Sequence, residues 1–477
     1  MRFVSLIAAA TVAALLTGSL AAEDVVVADS VPQEPGEETA EETGTDGISF
    51  ATRLESARKR LVQLSDEQRY DEAEPVALQI LRLTQEGFGE DAQQIIEPLL
   101  DLAAVQINGA KLTTAEQNLS AAIKLIEQYD GPLSAELIGP LTTLGEIYNR
   151  SGLYDKAAQT FDRALRLNHV NMGFTNFEQF PIMDGLTDSY MSQQDIDEAT
   201  FYQSSQLEIQ QRRLGIDNHE TAPGYYKLAR WYSRINRYDE AILTYQKADR
   251  VVREALGNDS PERTEGLQGL ALVYQKFGNR SASSSILRKA LKLVEESPEN
   301  DPLRRASLHV AIGDNLVREG RFSTALGQYA AAWEALPDND TGTELREFYF
   351  NRTVRLEGNL FPQYANRARG RAPGELKTGS ILVDYSISAK GRVKDPSVVE
   401  SYPPGLMDRS FLSIYRRSLF RPHLVDGVAQ TKDGLLARHE FYYVADQEPD
   451  DPDNDADNDD DDRPKPNRGK LSYPDSD

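Results

Sequence analysis

The chain has 477 residues, of which 40% are hydrophobic, and it contains no cysteine. This length exceeds the usual size of one domain, and the lack of cysteine excludes disulfides and thiolate metal sites. The formal net charge of −24 argues against nucleic acid as a partner, because binding to phosphates requires a basic surface.

The first 21 residues are typical of an exported protein. Arg2 precedes an alanine-rich apolar run, which ends in the small-residue site Ser19-Leu20-Ala21. This pattern predicts a secretory signal peptide at residues 1–21 and, because export needs no disulfide, a periplasmic location. The alternative is an uncleaved inner-membrane anchor, which the high alanine content disfavours.

Two acidic segments carry most of the net charge. Residues 22–47 hold nine acidic side chains and no Lys or Arg, and residues 446–477 hold thirteen acidic side chains against four basic ones. We expect the first to be an acidic disordered linker and the second an acidic disordered tail. Asp453, Asp455 and Asp457 alternate as calcium ligands do, but the loop glycine and closing glutamate of a calcium loop are missing, which disfavours a calcium site.

Residues 48–337 repeat with a period of 42. In the copy from Leu141 to Ala164, apolar residues recur at helical intervals on both sides of Gly152, which permits a turn. The pattern predicts a mainly α fold, an α-solenoid of about seven helix pairs. A small residue recurs once in each copy, at Ala73, Ala115, Ala157, Ala199, Ala241, Ser283 and Ala325. Glycines at the same spacing predict left-handed caps after a longer second helix, at Gly89, Gly131, Gly173, Gly215 and Gly257.

The repeat resembles a known family. The copy from Leu141 to Ala164 carries Leu, Gly and Tyr and then Ala, Phe and Ala in the order of the tetratricopeptide repeat. Stretches such as "RRLGIDNHETAPGYYKLARWY" are similar to the longer variant found in kinesin light chains. The resemblance implies a solenoid that binds proteins or peptides, and it leaves the ligand open.

The first helices of several copies carry residues that we expect on the concave side of the solenoid. In the fifth copy they are spaced i, i+4 and i+8 and form one stripe, and further cations repeat the last position at 42-residue steps. This basic row predicts an acidic partner, and the alternative is a solvated helix face neutralised by local carboxylates. The predicted partner-binding residues are Tyr226, Arg230, Arg234, Lys276 and Arg318, with Arg150 two copies before Arg234.

Residues 338–373 connect the repeats to a different pattern. The run "TELREFYFNRTVRL" predicts a capping helix whose Leu345, Phe348 and Tyr349 cover the last repeat. The stretch "RARGRAPG" that follows, with three arginines among small residues, predicts a basic linker.

Residues 374–445 predict a small α+β domain. In "TGSILVDYSISAKGRV" four apolar residues alternate, at Ile381, Val383, Tyr385 and Ile387, and Gly391 supplies the hairpin turn. A helix with Phe411 and Tyr415 on one face follows, and "LLARHEFYYV" restores the alternation of a strand. The predicted order is therefore strand, turn, strand, helix, strand.

This order, with Asp408 at the helix start and Phe420-Arg421-Pro422 before Asp426-Gly427, resembles the C-terminal domain of TonB energy transducers. The resemblance implies a periplasmic domain that pairs an edge strand with a short segment of an outer-membrane receptor. A cleavable signal and a solenoid replace the membrane helix and proline-rich spacer of that family, which argues against force transmission.

We expect the pairing edge to be the last strand, residues 438–444. The predicted partner-binding residues there are Arg438, Phe441, Tyr442 and Tyr443. The alternative is that some of these aromatic residues only fill the core of the sheet. These would be either the pair Phe441 and Tyr443 or the single residue Tyr442.

Motifs for catalysis are missing from the sequence. Its five histidines are scattered, and it has no cysteine nucleophile and no glycine-rich phosphate loop. We therefore predict no enzyme and no cofactor, but a periplasmic protein–protein interaction adaptor of the TonB type. Its candidate partners are outer-membrane receptors and inner-membrane motor-complex subunits. The alternative is a general cell-envelope scaffold that binds cell wall or other envelope components.

Overall fold

The structure is a computed structural model that describes residues 50–299, 301–358 and 376–444. The predicted signal peptide, both acidic segments with the calcium candidates, and the basic linker lie outside these residues. The chain divides into two compact units, one ending at Leu256 and one beginning at Gly257, and each is treated by itself. Among the helices in the described ranges, none has the length and apolar content to cross a bilayer.

The first unit is built from five helix pairs. From α3 onward every first helix has 13 residues and every second helix has 19, which accounts for most of the 42-residue period. The helices are α1 (Phe50–Asp66), α2 (Tyr70–Phe88), α3 (Ile96–Asn108), α4 (Leu112–Asp130), α5 (Ile138–Arg150), α6 (Tyr154–Met172), α7 (Phe180–Ser192), α8 (Ile196–Leu214), α9 (Ala222–Arg234) and α10 (Tyr238–Leu256).

The predicted glycine caps are confirmed. Gly89, Gly131, Gly173 and Gly215 each follow a 19-residue helix directly and have φ between 77° and 100°. Glycine adopts this left-handed conformation without the steric cost that a Cβ atom brings, so it ends the helix and releases the chain toward the next pair.

Small residues allow the helices of the first unit to approach closely. The repeated alanines, Ala73, Ala115, Ala157, Ala199 and Ala241, have no exposed surface. The buried ring of Phe161 lies against two glycines of the first helices α5 and α7, where an added Cβ would come within 2.7 Å at Gly145 and 2.3 Å at Gly185. The ring therefore fills space that any larger residue at these positions would occupy.

The second unit begins with two more helix pairs, so the described residues contain seven pairs in all. These helices are α11 (Arg263–Lys276), α12 (Arg280–Glu295), α13 (Pro302–Arg318) and α14 (Phe322–Ala335). The repeat positions Ser283 and Ala325 are again buried. The predicted solenoid of about seven helix pairs is therefore confirmed.

A short capping segment follows, but its contacts differ from the prediction. Helix α15 (Asp340–Arg346) continues into the π-helical turn Glu347–Asn351. Because this wider turn rotates the residues after it, Phe350 is the buried side chain, with its ring 6.1 Å from that of Tyr329. Phe348 is 48% exposed, so its prediction as a covering residue was wrong.

Leu345 and Tyr349, the other two predicted covering residues, are partly buried. They pack against a small cluster formed by Ala306, Ala335 and Leu336, from α13 and the end of α14. The capping segment therefore covers the last repeat through these two residues and through Phe350.

The C-terminal part of the second unit contains the predicted strands and helix. The three-stranded antiparallel sheet has the order β3-β2-β7, and two further pairs, β1 with β4 and β5 with β6, lie outside it. The elements are β1 (Arg355–Glu357), β2 (Leu376–Ile387), β3 (Val393–Tyr402), α16 (Asp408–Arg417), β4 (Leu419–Phe420), β5 (His423–Val425), β6 (Val428–Gln430) and β7 (Lys432–Val444).

The alternating residues of β2 form the core of this sheet. Ile381, Val383, Tyr385 and Ile387 are all buried and cluster with Phe411 and Tyr415 of α16, with Phe441 and Tyr443 of β7 on the same side. Helix α16 thus covers one face, which we call the inner face. The opposite, outer face carries Leu382, Leu436, Arg438, Glu440 and Tyr442.

Candidate partner-binding surfaces

A cleft of about 370 Å³ lies between α7, α8 and α9 of the first unit. Its lining includes the predicted residues Arg230 and Arg234, whose side chains are exposed. Trp231 also lines the cleft, and its indole Nε1 donates a 3.0 Å hydrogen bond to Thr200 Oγ1. The Arg234 guanidinium lies 5.9 Å from the centre of the Trp231 ring, so the cleft presents one of its two arginines against an aromatic ring that a hydrogen bond holds in place.

The carboxylates of the cleft differ in how firmly they are held. Asp184 accepts a 2.6 Å hydrogen bond from Lys227 Nζ and further bonds from the amides of Gln203 and Gln206. Asp188 is 3.7 Å from Arg234 Nη1, and both of these side chains are more than half exposed. Exposed pairs of this length contribute little. The ion pair between Asp188 and Arg234 is therefore weaker than the bonds that hold Asp184.

The structure corrects the prediction for Tyr226. This residue is 3% exposed, and its ring stacks on Tyr245 of α10 at 6.0 Å. Each four-residue step on an α-helix advances the side chain by about 40°, so a stripe of eight residues turns away from one face. Tyr226 therefore fills the core of its repeat and is not available to a partner.

The two predicted cations of the second unit differ from each other. Lys276, at the end of α11, is exposed. Arg318, at the end of α13, is half-buried, and its Nε donates a 3.1 Å hydrogen bond to the Leu356 carbonyl of β1. Burial lowers the pKa of Arg318. The prediction of Arg318 as a partner-binding residue is therefore corrected, because the chain's own strand occupies it.

The same strand also makes an ion pair with the repeats. Arg280 Nη2 lies 2.6 Å from Glu357 Oε1, and both side chains are about 40% exposed. Together with the Arg318 bond, this contact holds β1 against the last two repeats. Within the second unit, cations of the repeats thus bind an extended strand of the same chain, one through a backbone carbonyl and one through a carboxylate.

Asp314 occupies the position in the seventh repeat that corresponds to Arg230 in the fifth. It forms an ion pair with Arg421, which lies between β4 and β5. Arg421 donates from Nε to Asp314 Oδ1 at 2.9 Å and from Nη2 to Oδ2 at 2.7 Å. The Tyr329 hydroxyl donates to Asp314 Oδ1 at 2.8 Å, and Arg421 Nη1 donates to the Tyr349 carbonyl at 2.9 Å. Burial would lower the pKa of Arg421, but its hydrogen bonds to Asp314 raise it.

The outer border of β7 is the second candidate surface. Within the described residues, β2 is the only strand that pairs with β7, and it does so along one side. We call the other side the β7 border. An unpaired strand side presents a row of backbone N–H and C=O groups to a further strand.

The four predicted residues of β7 divide between the two faces of the sheet. Phe441 and Tyr443 are 2% and 5% exposed and face α16, so their prediction as partner contacts is corrected to core residues. Tyr442 is 46% exposed on the outer face. Arg438 is exposed there too, and its Nη2 lies 2.9 Å from Glu400 Oε2 of β3. Leu436, 62% exposed, was not predicted, although its alternation with Arg438 and Tyr442 indicates it.

His439 lies on the inner face at the middle of β7. Its Nε2 is 2.8 Å from the hydroxyl of Tyr415, and its ring stacks 5.2 Å from Phe411. Burial lowers the pKa of His439, with a further contribution from Arg355, and burial raises the pKa of Tyr415. In residues 50–299, 301–358 and 376–444 no three His, Asp or Glu side chains are grouped to hold a metal ion.

Comparisons with known proteins bear on the repeats. Family models of the tetratricopeptide repeat match residues 141–169 and 182–254. No curated protein matches the sequence. Both matched segments lie within the helix pairs of the first unit, and the resemblance of residues 374–445 to the TonB domain stays a prediction.

Solved structures of repeat proteins are also similar to this chain. BtubC (BKLC) from P. vanneervenii is 19% identical, with 51% of this chain and 90% of that chain covered and a TM-score of 0.35. Repeats of a putative kinesin light chain from Podospora anserina are 14% identical, with 42% and 96% covered and a TM-score of 0.34. The family models and the seven helix pairs together identify the chain as a protein that contains tetratricopeptide repeats, arranged in a mainly helical solenoid.

Proposed function

We propose that this chain is a periplasmic adaptor that binds envelope proteins at two surfaces, the β7 border and the cleft at Arg230 and Arg234. Its tetratricopeptide repeats imply protein–protein interaction, because such solenoids expose extended binding surfaces and are typically non-catalytic. The periplasmic location and the TonB-type role are parts of the proposal, supported by the pattern of residues 1–21 and the resemblance of residues 374–445.

The observation that carries the proposal is the β7 border. β7 has 13 residues, and one of its sides has no strand partner among the described elements. Strand addition to such a side draws affinity from backbone hydrogen bonds and specificity from alternate side chains. Here the alternate side chains on the outer face are Leu436, Arg438, Glu440 and Tyr442, an apolar residue at each end with two charges between. The resemblance of residues 374–445 to the TonB domain supports the proposal that the partner is an extended segment of an outer-membrane receptor or a motor-complex subunit.

The cleft of the first unit supports a second contact. Arg230 and Arg234 are exposed in the cleft, which Trp231 also lines, and the Asp188 carboxylate is the loosely held group at Arg234. In the second unit the corresponding positions hold the chain's own β1 and Arg421, so the groove there already has an occupant. The partner proposed for the cleft is an acidic extended segment.

Site-specific photo-crosslinking in cells tests the proposal. A crosslinking amino acid replaces Tyr442, which is 46% exposed, and the matched control replaces Tyr129, which is 45% exposed on α4, outside both proposed surfaces. The proposal expects Tyr442 alone to capture an outer-membrane receptor or a motor-complex subunit. Capture of cell-wall material at Tyr442 would instead favour a general envelope scaffold, and identical products at the two positions would contradict the proposal.

The location is tested separately by the N-terminus of the protein purified from cells. A chain that starts near Ala22 and is released with the periplasmic fraction is the expected result. A chain that retains Met1 and stays in the cytoplasm would contradict the proposed location.

A further inference from the structure

The turns between consecutive helix pairs of the first unit are linked by a repeated contact. Asn171, at the end of α6, donates from Nδ2 to the Leu133 carbonyl at 3.1 Å. Arg213, at the end of α8, donates from Nη1 to the Thr175 carbonyl at 3.5 Å. Donors and acceptors both advance by one repeat, and each donor comes directly before the next turn. The turns therefore lie in one row, which we call the turn edge and which consists of residues 131–137, 173–179 and 215–221.

Each turn of the turn edge has one large, exposed apolar side chain. Leu133, Phe174 and Ile216 are 64%, 71% and 61% exposed, whereas the turn between α2 and α3 has no such residue. The last turn of α6 adds the exposed Val170 and Met172 to the same row. Because monomeric proteins rarely leave several neighbouring apolar side chains in water, such a row indicates a contact surface.

The apolar surface at Phe174 is held in place by its neighbours. The His169 ring lies 4.6 Å from the Phe174 ring, and His169 Nε2 is 2.9 Å from Gln179 Oε1. Gln179 is buried, and its Nε2 donates to the carbonyls of Phe174 at 3.0 Å and Asn176 at 2.7 Å. A partner at this turn therefore meets an ordered surface, which lowers the entropy cost of binding.

The charges of the turn edge have one sign. Its three turns contain no Lys or Arg, and they contain four exposed acidic residues, Glu136, Glu178, Asp217 and Glu220. The two arginines at the end of α8 are engaged, since Arg212 pairs with Glu208 and the Arg213 guanidinium lies 4.7 Å from the Phe177 ring. Apolar side chains among carboxylates fit a partner that is both apolar and basic, and they disfavour anionic lipid head groups.

A basic amphipathic helix has this combination of features. Its apolar residues recur at i, i+3, i+4 and i+7 on one face, and Lys and Arg can border that face. Packed helices lie about 8–10 Å apart, so three successive turns span about 16–20 Å, which three to four turns of an α-helix cover. The Leu133 and Thr175 carbonyls already accept hydrogen bonds within the edge, which favours binding through side chains over backbone pairing.

We propose that the turn edge binds a basic amphipathic helix of a partner protein. It is a third surface, separate from the cleft and from the β7 border of the proposed function. The cleft extends to Arg234 at the end of α9, whereas the turn edge stops before Ala222 at the start of that helix. At 1.5 Å per residue these two ends lie about 18 Å apart, so the cleft and the turn edge can be occupied together.

Fluorescence anisotropy of a labelled synthetic peptide tests the proposal with the full-length chain. The peptide has about 18 residues, with Leu at i, i+3, i+4 and i+7 and Lys elsewhere. The wild type is expected to bind it. Phe174→Ser with Ile216→Ser is expected to bind it about tenfold more weakly or worse, because two apolar contacts are lost. The matched control is Phe201→Ser with Leu243→Ser, on α8 and α10, which also changes two residues one repeat apart, both 58% exposed. This control should bind as the wild type does.

A scrambled peptide of the same composition, without an apolar face, should bind the wild type more weakly. Arg230→Gln with Arg234→Gln should leave binding of the amphipathic peptide unchanged, which separates this test from the cleft of the proposed function.

Three results would overturn the proposal: no binding by the wild type, equal binding of the two peptides, or equal weakening in the control variant. Phosphatidylglycerol vesicles provide a further check. If Phe174→Ser with Ile216→Ser lost binding to these vesicles and kept its affinity for the peptide, the edge would bind a membrane and the proposal would be wrong.

Discussion

Arg421 and Asp314 form a bidentate ion pair between residues 107 positions apart, with side chains only 10% and 13% exposed. The pair joins the segment between β4 and β5 to α13 of the last repeat. Around it, Leu424 of β5 and Phe350 share one hydrophobic cluster with Tyr329 and other residues of α13 and α14. The C-terminal strands and the last repeats are therefore held by both charge and apolar packing.

Breaking the Arg421–Asp314 pair from one side should destabilise the second unit strongly. Asp314→Leu or Arg421→Met alone leaves a buried charge without its partner, which costs about 3–5 kcal/mol. The double variant should be less destabilised than either single variant, because neither charge remains. Urea unfolding followed by circular dichroism measures these free energies.

The exposed pair Arg438–Glu400 is the matched control for that experiment. Both side chains are more than half exposed, so Arg438→Gln should change the free energy of unfolding by less than about 1 kcal/mol. An equal loss at Arg421 and Arg438 would contradict the role given to burial.

The stability of the second unit should fall as the pH drops below the ordinary histidine value of 6.5. Burial and Arg355 lower the pKa of His439 in the folded chain, and the Tyr415 hydroxyl and Phe411 ring are its other close neighbours. As the pH falls, the unfolded chain therefore binds the proton before the folded chain does. The contribution of neutral His439 to stability is complete above the pKa of the unfolded chain and is lost as the pH falls toward the lower pKa of the folded chain.

Urea unfolding at pH values from about 5 to 8 checks the sign of this dependence. His439→Gln should flatten it, whereas His219→Gln, at an exposed turn of the first unit, should leave it as in the wild type. An unchanged pH profile in His439→Gln would show that another group is responsible.

Charge reversal in the cleft of the first unit should weaken binding without loss of stability. Arg230→Glu with Arg234→Glu removes both exposed arginines of the cleft, and we expect an acidic peptide to bind about tenfold more weakly or worse. The melting temperature should stay within a degree or two, because both side chains are exposed. Fluorescence polarisation of a labelled acidic peptide provides the measurement.

Arg212→Glu is the control for the cleft, since Arg212 is exposed on α8 and pairs only with Glu208 one turn away among its described ion pairs. This variant should bind the peptide as the wild type does. Equal weakening by the control and the cleft variant would indicate a general charge effect and not a site.

Two glycines of α5 should respond in opposite directions to alanine. At Gly145 an added Cβ would lie 2.7 Å from the Phe161 ring, so Gly145→Ala should cost about 1–3 kcal/mol through overpacking. At Gly139 nothing lies within 4 Å, so alanine should be neutral or stabilise the helix by up to about 1 kcal/mol. Thermal unfolding of the two variants decides this, and a stable Gly145→Ala would contradict the close packing at Phe161.

Local patterns in the sequence were enough to predict most of the architecture. The 42-residue period gave the helix pairs, and the spacing of glycines such as Gly131 gave the helix ends, because both depend on neighbouring residues. The alternation around Val383 gave the central strand for the same reason. The hairpin β5–β6 was missed, although Asp426-Gly427 between Val425 and Val428 is a hairpin signal.

Contacts between residues that are far apart in the sequence could not be predicted from local patterns. No spacing rule connects Arg421 with Asp314, and a row of cations at one repeat position gave no sign that Arg318 binds the chain's own Leu356. Phe350 replaced Phe348 as the buried residue because a π-turn shifts the helical phase, which regular periodicity does not indicate. The sequence thus indicated the helices and the strand that carry the candidate residues. Which of those residues are exposed depends on how distant parts of the chain pack against them.

Hydrogen–deuterium exchange of β7 with a captured envelope partner tests the central claim most directly. The account predicts that amides of residues 432–444 exchange more slowly when the partner is added, while the outer strand β3 keeps its rate. Unchanged exchange along β7 with the partner bound would contradict the claim that an extended segment adds to this border.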